Sequence, residues 1–384
     1  MNHLRRPQQG AAFLLLIFSL TMALAMAVVG KFSIDRFRLH RANTNLEQLQ
    51  QAKQALIGYA VMHSRPGALP CPDYNGDGRI TNPEDHNGSR CRSESGGTMR
   101  PGWLPWRELG VAQLIDSSNA TLWYLPSPAY TELASVPLNS DTSGALRLDG
   151  QGDIVALVIA PGPVLDQQQR SSAVMGNADR ARSAHLEGEN RDSDADFTQA
   201  RPASTGLNDR LIAITRRELM QEVERRVAAE IALRLRDYVA GCSRFPDAVP
   251  FTDPSGLALF DSQPGTSEGL LPIDSVLPAN WGSGCAAGAS LPPWFQANNW
   301  HWLSYFASAA TNCSPGVDCL EVANLPGRRD NKQGLLLLAG IDLSGRRPSA
   351  TLSDYFEGEN GQSGNRRFDL RPPGGNDTLR VILP

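Results

Sequence analysis

The sequence predicts an α+β fold: a long N-terminal helix, then two heads in tandem, each a helix packed on an antiparallel sheet and stabilised by disulfides. Three observations lead to this prediction. Residues 11–62 follow an apolar and then amphipathic helical pattern that no proline interrupts. Four sequence blocks recur in the same order in the two halves of the chain. Six cysteines fall into three local pairs.

Length and composition are those of an ordinary globular protein with two or three domains. The chain has 384 residues, of which 41% are hydrophobic and 20% charged. Its formal net charge is −4, without the clustered lysine and arginine of a nucleic-acid-binding face, so we expect no nucleic-acid partner. The 35 glycines and 27 prolines favour turns and β structure over a helical bundle.

The apolar half of the first helix has the length of a membrane span. Residues 11–30 carry no charge, and a helix of that length extends about 30 Å, the thickness of the hydrocarbon core. A cleaved secretory signal ending near Val28 is the alternative. The helical pattern that continues past Gly30 favours one long helix instead. Its apolar face would include Leu39, Ala42, Leu46, Leu49, Lys53, Leu56 and Ala60.

The cysteines indicate where the body of the protein lies. None forms a Cys-x-x-Cys motif and no histidine stands at zinc-ligand spacing, so we expect disulfides, with reduced structural cysteines as the alternative. Basic residues after the span would by themselves place the body in the cytoplasm. Paired cysteines favour an oxidising compartment outside it, and we follow the cysteines. The expected pairs are Cys71–Cys91, Cys242–Cys285 and Cys313–Cys319.

An internal repeat divides the chain. The paired blocks are residues 154–162 with 335–340, 170–173 with 347–350, 185–190 with 355–360, and 208–214 with 376–382. The second helix is expected to begin after Thr215, which forms a capping box with Glu218, and to end near Gly241. The expected units are a leader at 1–10, the membrane half of the helix at 11–30, a first head at 31–214 and a second head at 215–384.

The leader resembles a known type of export signal. A short basic segment ends in Gly10 and runs directly into the apolar helix, as in the leaders of type IV pilins and type II secretion pseudopilins. The resemblance implies that a prepilin peptidase cuts between Gly10 and Ala11 and that Ala11 is methylated. Its other implied partners are further pilins or pseudopilins and the inner-membrane assembly platform. The body would be periplasmic, on a single bacterial inner-membrane span, or part of a filament.

One position departs from the family pattern. The family usually has a glutamate at the fifth mature position, where this chain has Leu15. A buried carboxylate without a partner is costly, so a subunit with no neighbour above it can lack this glutamate, and tip-type minor pseudopilins do. The order helix, loop, antiparallel sheet is also that of a pilin head. The phrases Leu-Pro-Cys-Pro-Asp and Leu-Pro-Trp resemble a group of pilin-like proteins.

Residues 73–84 match a calcium-loop pattern without a gap. Oxygen donors at the first, third and fifth positions converge on a hard cation, a glycine permits the sharp turn, and a glutamate closes the loop. The alternative is a solvated turn, and the prolines before the loop rule out an ordinary entering helix. The expected calcium ligands are Asp73, Asn75, Asp77, Arg79 through its carbonyl, Thr81 and Glu84.

A second acidic segment follows the first head's strands. It predicts a weaker cation site, with a solvated loop as the alternative, and its candidate residues are Glu187, Glu189, Asp192, Asp194 and Asp196. The chain contains no Gly-x-Ser-x-Gly, His-Glu-x-x-His or phosphate-binding motif, so we expect no enzyme. The expected function is a minor pilin or pseudopilin at or near a filament tip. The alternative is a membrane-anchored, calcium-dependent binding protein or adhesin that does not polymerise.

Overall fold

The computed structural model describes residues 9–80, 86–87, 90–91, 100–165, 168–170, 177–192, 194–201, 206–273 and 281–384. In the N-terminal helix, side chains are described at positions 16–22, 26 and from 39 onward. The described residues form an α+β structure in which two long helices pack on two largely antiparallel sheets. This is the fold class that the sequence predicts.

The first long helix, α1, runs unbroken from Gln9 to Met62. Its C-terminal turns are buried, with Leu49 and Leu56 among the core residues, and they contact the first sheet and the second long helix. Two of the apolar positions predicted for this helix, Leu39 and Leu46, are 63% and 50% exposed. The first described buried side chain of the helix is Asn45.

The first sheet has six strands among the described residues. Five of them follow the order β3-β4-β6-β5-β7, and the sixth, β8, also pairs with β6. The long strand β6 pairs antiparallel with β4, β5 and β8, while β5 and β7 are parallel. A separate hairpin joins β1 and β2. The strand bounds are β1 His86–Asn87, β2 Arg90–Cys91, β3 Gly102–Trp103, β4 Trp123–Pro126, β5 Leu146–Leu148, β6 Gln151–Ala160, β7 Asp196–Phe197 and β8 Arg210–Thr215. A short helix, α2, spans Ala178–His185.

The second long helix, α3, spans Arg216–Cys242. The predicted capping box is present. The Thr215 side chain accepts a hydrogen bond from the Glu218 backbone N–H, and the Glu218 side chain accepts one from the Thr215 backbone N–H. The apolar face of the helix is buried against β12 and β14, defined below, and touches α1. Ser243, in a left-handed conformation, ends the helix.

The second sheet repeats the first. Its order is β14-β12-β10-β9, all antiparallel, and a separate parallel pair joins β11 and β13. The bounds are β9 Glu268–Leu270, β10 Ser304–Ser308, β11 Glu321–Ala323, β12 Gly334–Leu338, β13 Arg367–Asp369 and β14 Thr378–Leu383, with a short helix α4 at Pro293–Ala297. The series β3, β4, β6, β8 therefore corresponds to β9, β10, β12, β14. The parallel pair β5 and β7 likewise corresponds to β11 and β13.

One hydrophobic core extends through both halves. It includes Leu56 of α1, Val227 and Ile231 of α3, and Leu336 of β12. The helix α3 thus covers its own sheet and also packs against the first half. Where the chain divides into domains stays a prediction. Three disulfides form, with the pairing expected from the sequence: Cys71–Cys91, Cys242–Cys285 and Cys313–Cys319.

Candidate cation loops and exposed N-terminal helix

The loop at 73–80 is folded around the side chain of Asp73. This residue is fully buried. Its Oδ1 accepts hydrogen bonds from the backbone N–H groups of Asn75 (3.0 Å) and Gly76 (2.7 Å), and its Oδ2 accepts one from Gly78 (2.6 Å). Gly76 and Gly78 have φ angles of +81° and +83°, which only glycine adopts without strain. The first oxygen donor of the predicted calcium loop therefore also fixes the shape of the loop.

The loop is held against the segment 102–108. Asp73 and Trp103 exchange backbone hydrogen bonds of 3.0 and 2.8 Å. The Gly78 carbonyl accepts from the N–H groups of Arg107 (3.0 Å) and Glu108 (3.2 Å). A Cβ on Gly78 would lie 2.6 Å from the Trp106 ring, so any other residue would displace the loop. The Leu-Pro-Cys-Pro-Asp and Leu-Pro-Trp motifs therefore lie in two segments that pack against each other.

The described part of the loop contains three of the predicted side-chain calcium ligands, Asp73, Asn75 and Asp77. Asn75 Oδ1 accepts the Asp77 N–H (3.0 Å), and Asp77 Oδ1 accepts the Arg79 N–H (2.8 Å). These bonds orient the side-chain oxygen atoms of the loop. Thr81 and Glu84 lie outside the described residues. Calcium binding therefore stays a prediction.

The second acidic segment is divided by the structure. The carboxylate oxygens of Glu189, Asp192 and Asp194 lie within 4.8 Å of one another, and all three residues are exposed. Partial desolvation, and then the charge of the neighbouring Asp194, raise the pKa of Asp192. Glu187 is instead buried, and the Asp196 carboxylate lies 3.9 Å from the Arg147 guanidinium. Three of the five predicted residues thus come together, at an exposed position.

Glu187 belongs to a group that we call the first polar cluster, made of the buried residues Glu187, Asn190 and Asp209 and the partly buried Asn208. Asp209 Oδ2 accepts the Glu187 N–H (3.1 Å) and the Asn190 side-chain amide (2.9 Å). Glu187 Oε2 in turn accepts the Asn208 N–H (3.0 Å). These bonds join the acidic segment to the start of β8.

The second polar cluster, made of Glu357, Asn360, Asn376 and Asp377, has the same hydrogen bonds. Asp377 Oδ2 accepts the Glu357 N–H (3.0 Å) and the Asn360 amide (3.3 Å), and Glu357 Oε2 accepts the Asn376 N–H (3.2 Å). These residues fall within the repeated sequence blocks, but the sequence predicts no role for Asp209 or Asp377. Their recurrence at equivalent positions was the available signal.

An arginine accompanies each cluster. Arg170 Nη1 donates to the Gly162 carbonyl (2.8 Å) and Arg347 Nη1 to the Gly340 carbonyl (2.7 Å), just after the central strand of each sheet. Both guanidinium groups also donate to two adjacent carbonyls before the acidic segment, those of Ala184 and His185 or of Asp354 and Tyr355. The repeated arginine therefore ties each central strand to its polar cluster.

The N-terminal half of α1 presents apolar side chains to the surroundings. Leu16, Ile17, Phe18, Leu20, Met22 and Met26 are 42–67% exposed. Gly10 and Ala11 lie in the first turns of the helix, and their side-chain surroundings, like those of Leu15, are outside the described residues. Within the described residues, no helix combines the length and apolarity needed to cross a membrane.

Comparisons with protein-family models, curated proteins and solved structures found no match. The structure therefore offers three candidate functional features: the loop at 73–80, the exposed cluster of Glu189, Asp192 and Asp194, and the exposed apolar stretch of α1. In the two polar clusters, Glu187, Asn190, Asp209 and Asn360 are buried, and the other members are partly buried.

Proposed function

We propose that this chain is a non-catalytic minor pilin or pseudopilin, a subunit of a type IV pilus-like or type II secretion filament that lies at or near the tip. It would be inserted in the bacterial inner membrane by the apolar part of α1, with its body in the periplasm. A prepilin peptidase would cut it after Gly10 and methylate Ala11. Other pilins and the assembly platform would then be its partners.

The observation that carries the proposal is the division of α1 into two parts. Its C-terminal turns pack on the first sheet, whereas the described side chains from Leu16 to Met26 are exposed and mostly apolar. Exposed apolar surface costs about 25 cal/mol per Å² in water, so this stretch needs lipid or other helices around it. A filament subunit has both in turn, the membrane before assembly and neighbouring helices afterwards.

Two further features support the location and the position in the filament. Three disulfides suit a periplasmic or extracellular compartment and not a reducing cytoplasm. Leu15 replaces the carboxylate that a subunit inside the filament would pair with a neighbour. The proposal includes calcium as a ligand of the 73–84 loop, since a weak site would fill at extracellular calcium concentrations.

Processing is the test. We would express the full chain with and without a prepilin peptidase and determine the mass of its N-terminal peptide. The expected product begins at methylated Ala11 only when the peptidase is present. The variant Gly10→Val should block this cleavage, whereas Gly30→Val, a matched change in the same helix, should not.

Other products of the same experiment decide against the proposal. A chain that keeps Met1 in the presence of active peptidase would favour the anchored, calcium-dependent binding protein that does not polymerise. A chain that begins near Val28 would be an ordinary secreted protein. Cleaved chain that never co-purifies with pilins or pseudopilins would remove the filament part of the proposal.

A further inference from the structure

A short segment of the first half, residues 138–141, is held against the second half by hydrogen bonds. The Leu138 N–H donates to Asn298 Oδ1 (3.0 Å), and Asn139 Nδ2 donates to the Asn298 carbonyl oxygen (2.9 Å). All three residues are buried. The partner Asn298 follows α4 in the second half. These bonds therefore exist only while the two halves remain together.

The same segment covers a carboxyl group of α3. Ser140 Oγ donates to Glu224 Oε1 at 2.7 Å, and the two residues are 0% and 3% exposed. Among the described residues, Ser140 is the only hydrogen-bond donor to this carboxyl group. A buried carboxylate is costly unless a cation pairs with it or several donors solvate it. The contact between the halves thus encloses a carboxyl group that is poorly prepared to ionise.

The cations near Glu224 are engaged elsewhere. The charged and titratable groups around the contact between Ser140 and Glu224 are Arg347, Asp141, Arg225, Arg216 and Tyr130. The Arg347 guanidinium donates to Asp141 and to three carbonyl oxygens, and none of its hydrogen bonds within the described residues goes to Glu224. Arg225 pairs with Glu222 at 2.5 Å on the exposed side of α3. Neither arginine therefore forms an ion pair with the buried carboxyl group.

We propose that residues 138–141 form a latch between the two halves, which is closed while the Glu224 carboxyl group carries its proton and opens when this group ionises. The Ser140 hydroxyl both donates and accepts, so its hydrogen bond suits the acid form. Burial raises the pKa of the Glu224 carboxyl group to about 8, although the Ser140 hydrogen bond and the Arg347 charge act in the opposite direction. The inference does not depend on the proposed filament.

The direction of the pH dependence follows from the two states of Glu224. In the open latch this side chain is in water, and its pKa returns to the usual 4.5. Below that value the latch has its full stability. Between 4.5 and about 8 the closed state keeps a proton that the open state releases, so the opening constant rises about tenfold per pH unit. Above about 8 both states are ionised and the rise ends.

Hydrogen exchange of the Leu138 amide in the full chain, in detergent, measures the opening of the latch, because its acceptor belongs to the second half. After correction for the intrinsic exchange rate, its protection should fall about tenfold per pH unit between about pH 5 and pH 8. Glu224→Gln keeps the shape of the acid form but cannot ionise, so this fall should be absent. Ser140→Ala keeps the carboxyl group and should retain the fall. The matched control Glu222→Gln, at a side chain that is 45% exposed, should behave as the unmodified chain does.

Three results would overturn the proposal. The first needs no variant to fold: constant protection of Leu138 over this pH range in the unmodified chain. The second is an equally steep fall in Glu224→Gln protein, which would assign the titration to another group. The third concerns the Ser127 amide, which donates to the Val155 carbonyl within the first half (2.7 Å). Its protection should exceed that of Leu138, and equal protection at both amides would show that the halves separate only when the whole protein unfolds.

Discussion

Arg347 offers a sharp test of the packing argument. Its side chain is 2% exposed, and its guanidinium donates to the carbonyl oxygens of Gly340 (2.7 Å), Asp354 (2.9 Å) and Tyr355 (2.8 Å). It also lies 3.1 Å from Asp141, a residue of the first half of the chain. The variant Arg347→Met keeps much of the side-chain volume but removes every one of these bonds.

The expected loss is large because the partners stay behind. Each buried carbonyl oxygen left without a donor costs about 1–3 kcal/mol. The ion pair itself adds less, because the Asp141 side chain is 34% exposed. Arg346 provides a matched control next in sequence. Its side chain is 73% exposed and pairs with Asp354 at 3.5 Å, a contact worth about 0–1 kcal/mol.

Urea unfolding of the full-length variants in detergent measures the difference. We expect Arg347→Met to lower the free energy of unfolding by at least about 2 kcal/mol more than Arg346→Met. Equal effects of the two changes, within error, would refute the claim that Arg347 joins the central strand, the acidic segment and the first half. A smaller loss in Arg347→Lys than in Arg347→Met would show that the charge is part of the effect.

Two more changes test close packing and the cation loop. A Cβ on Gly241 would lie 1.9 Å from the Cys285 carbonyl oxygen, so Gly241→Ala should lower the free energy of unfolding by about 1–3 kcal/mol, while Gly58→Ala, with open space around it, should raise it by up to about 1 kcal/mol. A stabilised Gly241→Ala protein would contradict the contact. Calcium should raise the melting temperature of the full chain, and Asp77→Asn, but not Asp194→Asn, should abolish this rise. An unchanged melting temperature in calcium and in EDTA would remove calcium from the proposal.

The sequence predicts those parts of the fold whose signals are local. Thr215 and Glu218 lie three positions apart and satisfy each other's backbone groups, so the start of α3 can be read directly. Each disulfide joins two cysteines that follow one another directly among the six of the chain, with separations of 20, 43 and 6 residues. In each of these cases, the order of residue types along the chain identifies both partners.

What depends on distant contacts could not be predicted. The periodicity of α1 includes Leu39 and Leu56 in one apolar pattern, but it does not say which turns of the helix another element covers, and Leu39 is exposed. Similarly, the acidic segment gives no sign that Glu187 turns inward. Its partner Asp209 lies 22 residues away, and the pairing exists only after β8 joins the sheet.

The duplication separates what the fold requires from what it does not. The polar clusters and their arginines recur in both halves with equivalent partners, so they stabilise the arrangement of strands that each half forms. The apolar extension of α1 and the loop around Asp73 do not recur: α3 begins at its cap, and the strand bridge between Asp73 and Trp103 is matched in the second half by Val249 and Leu270, which carry no carboxylate. Because the second half folds without these features, they are not conditions of the fold, and a function specific to this protein is best sought in them.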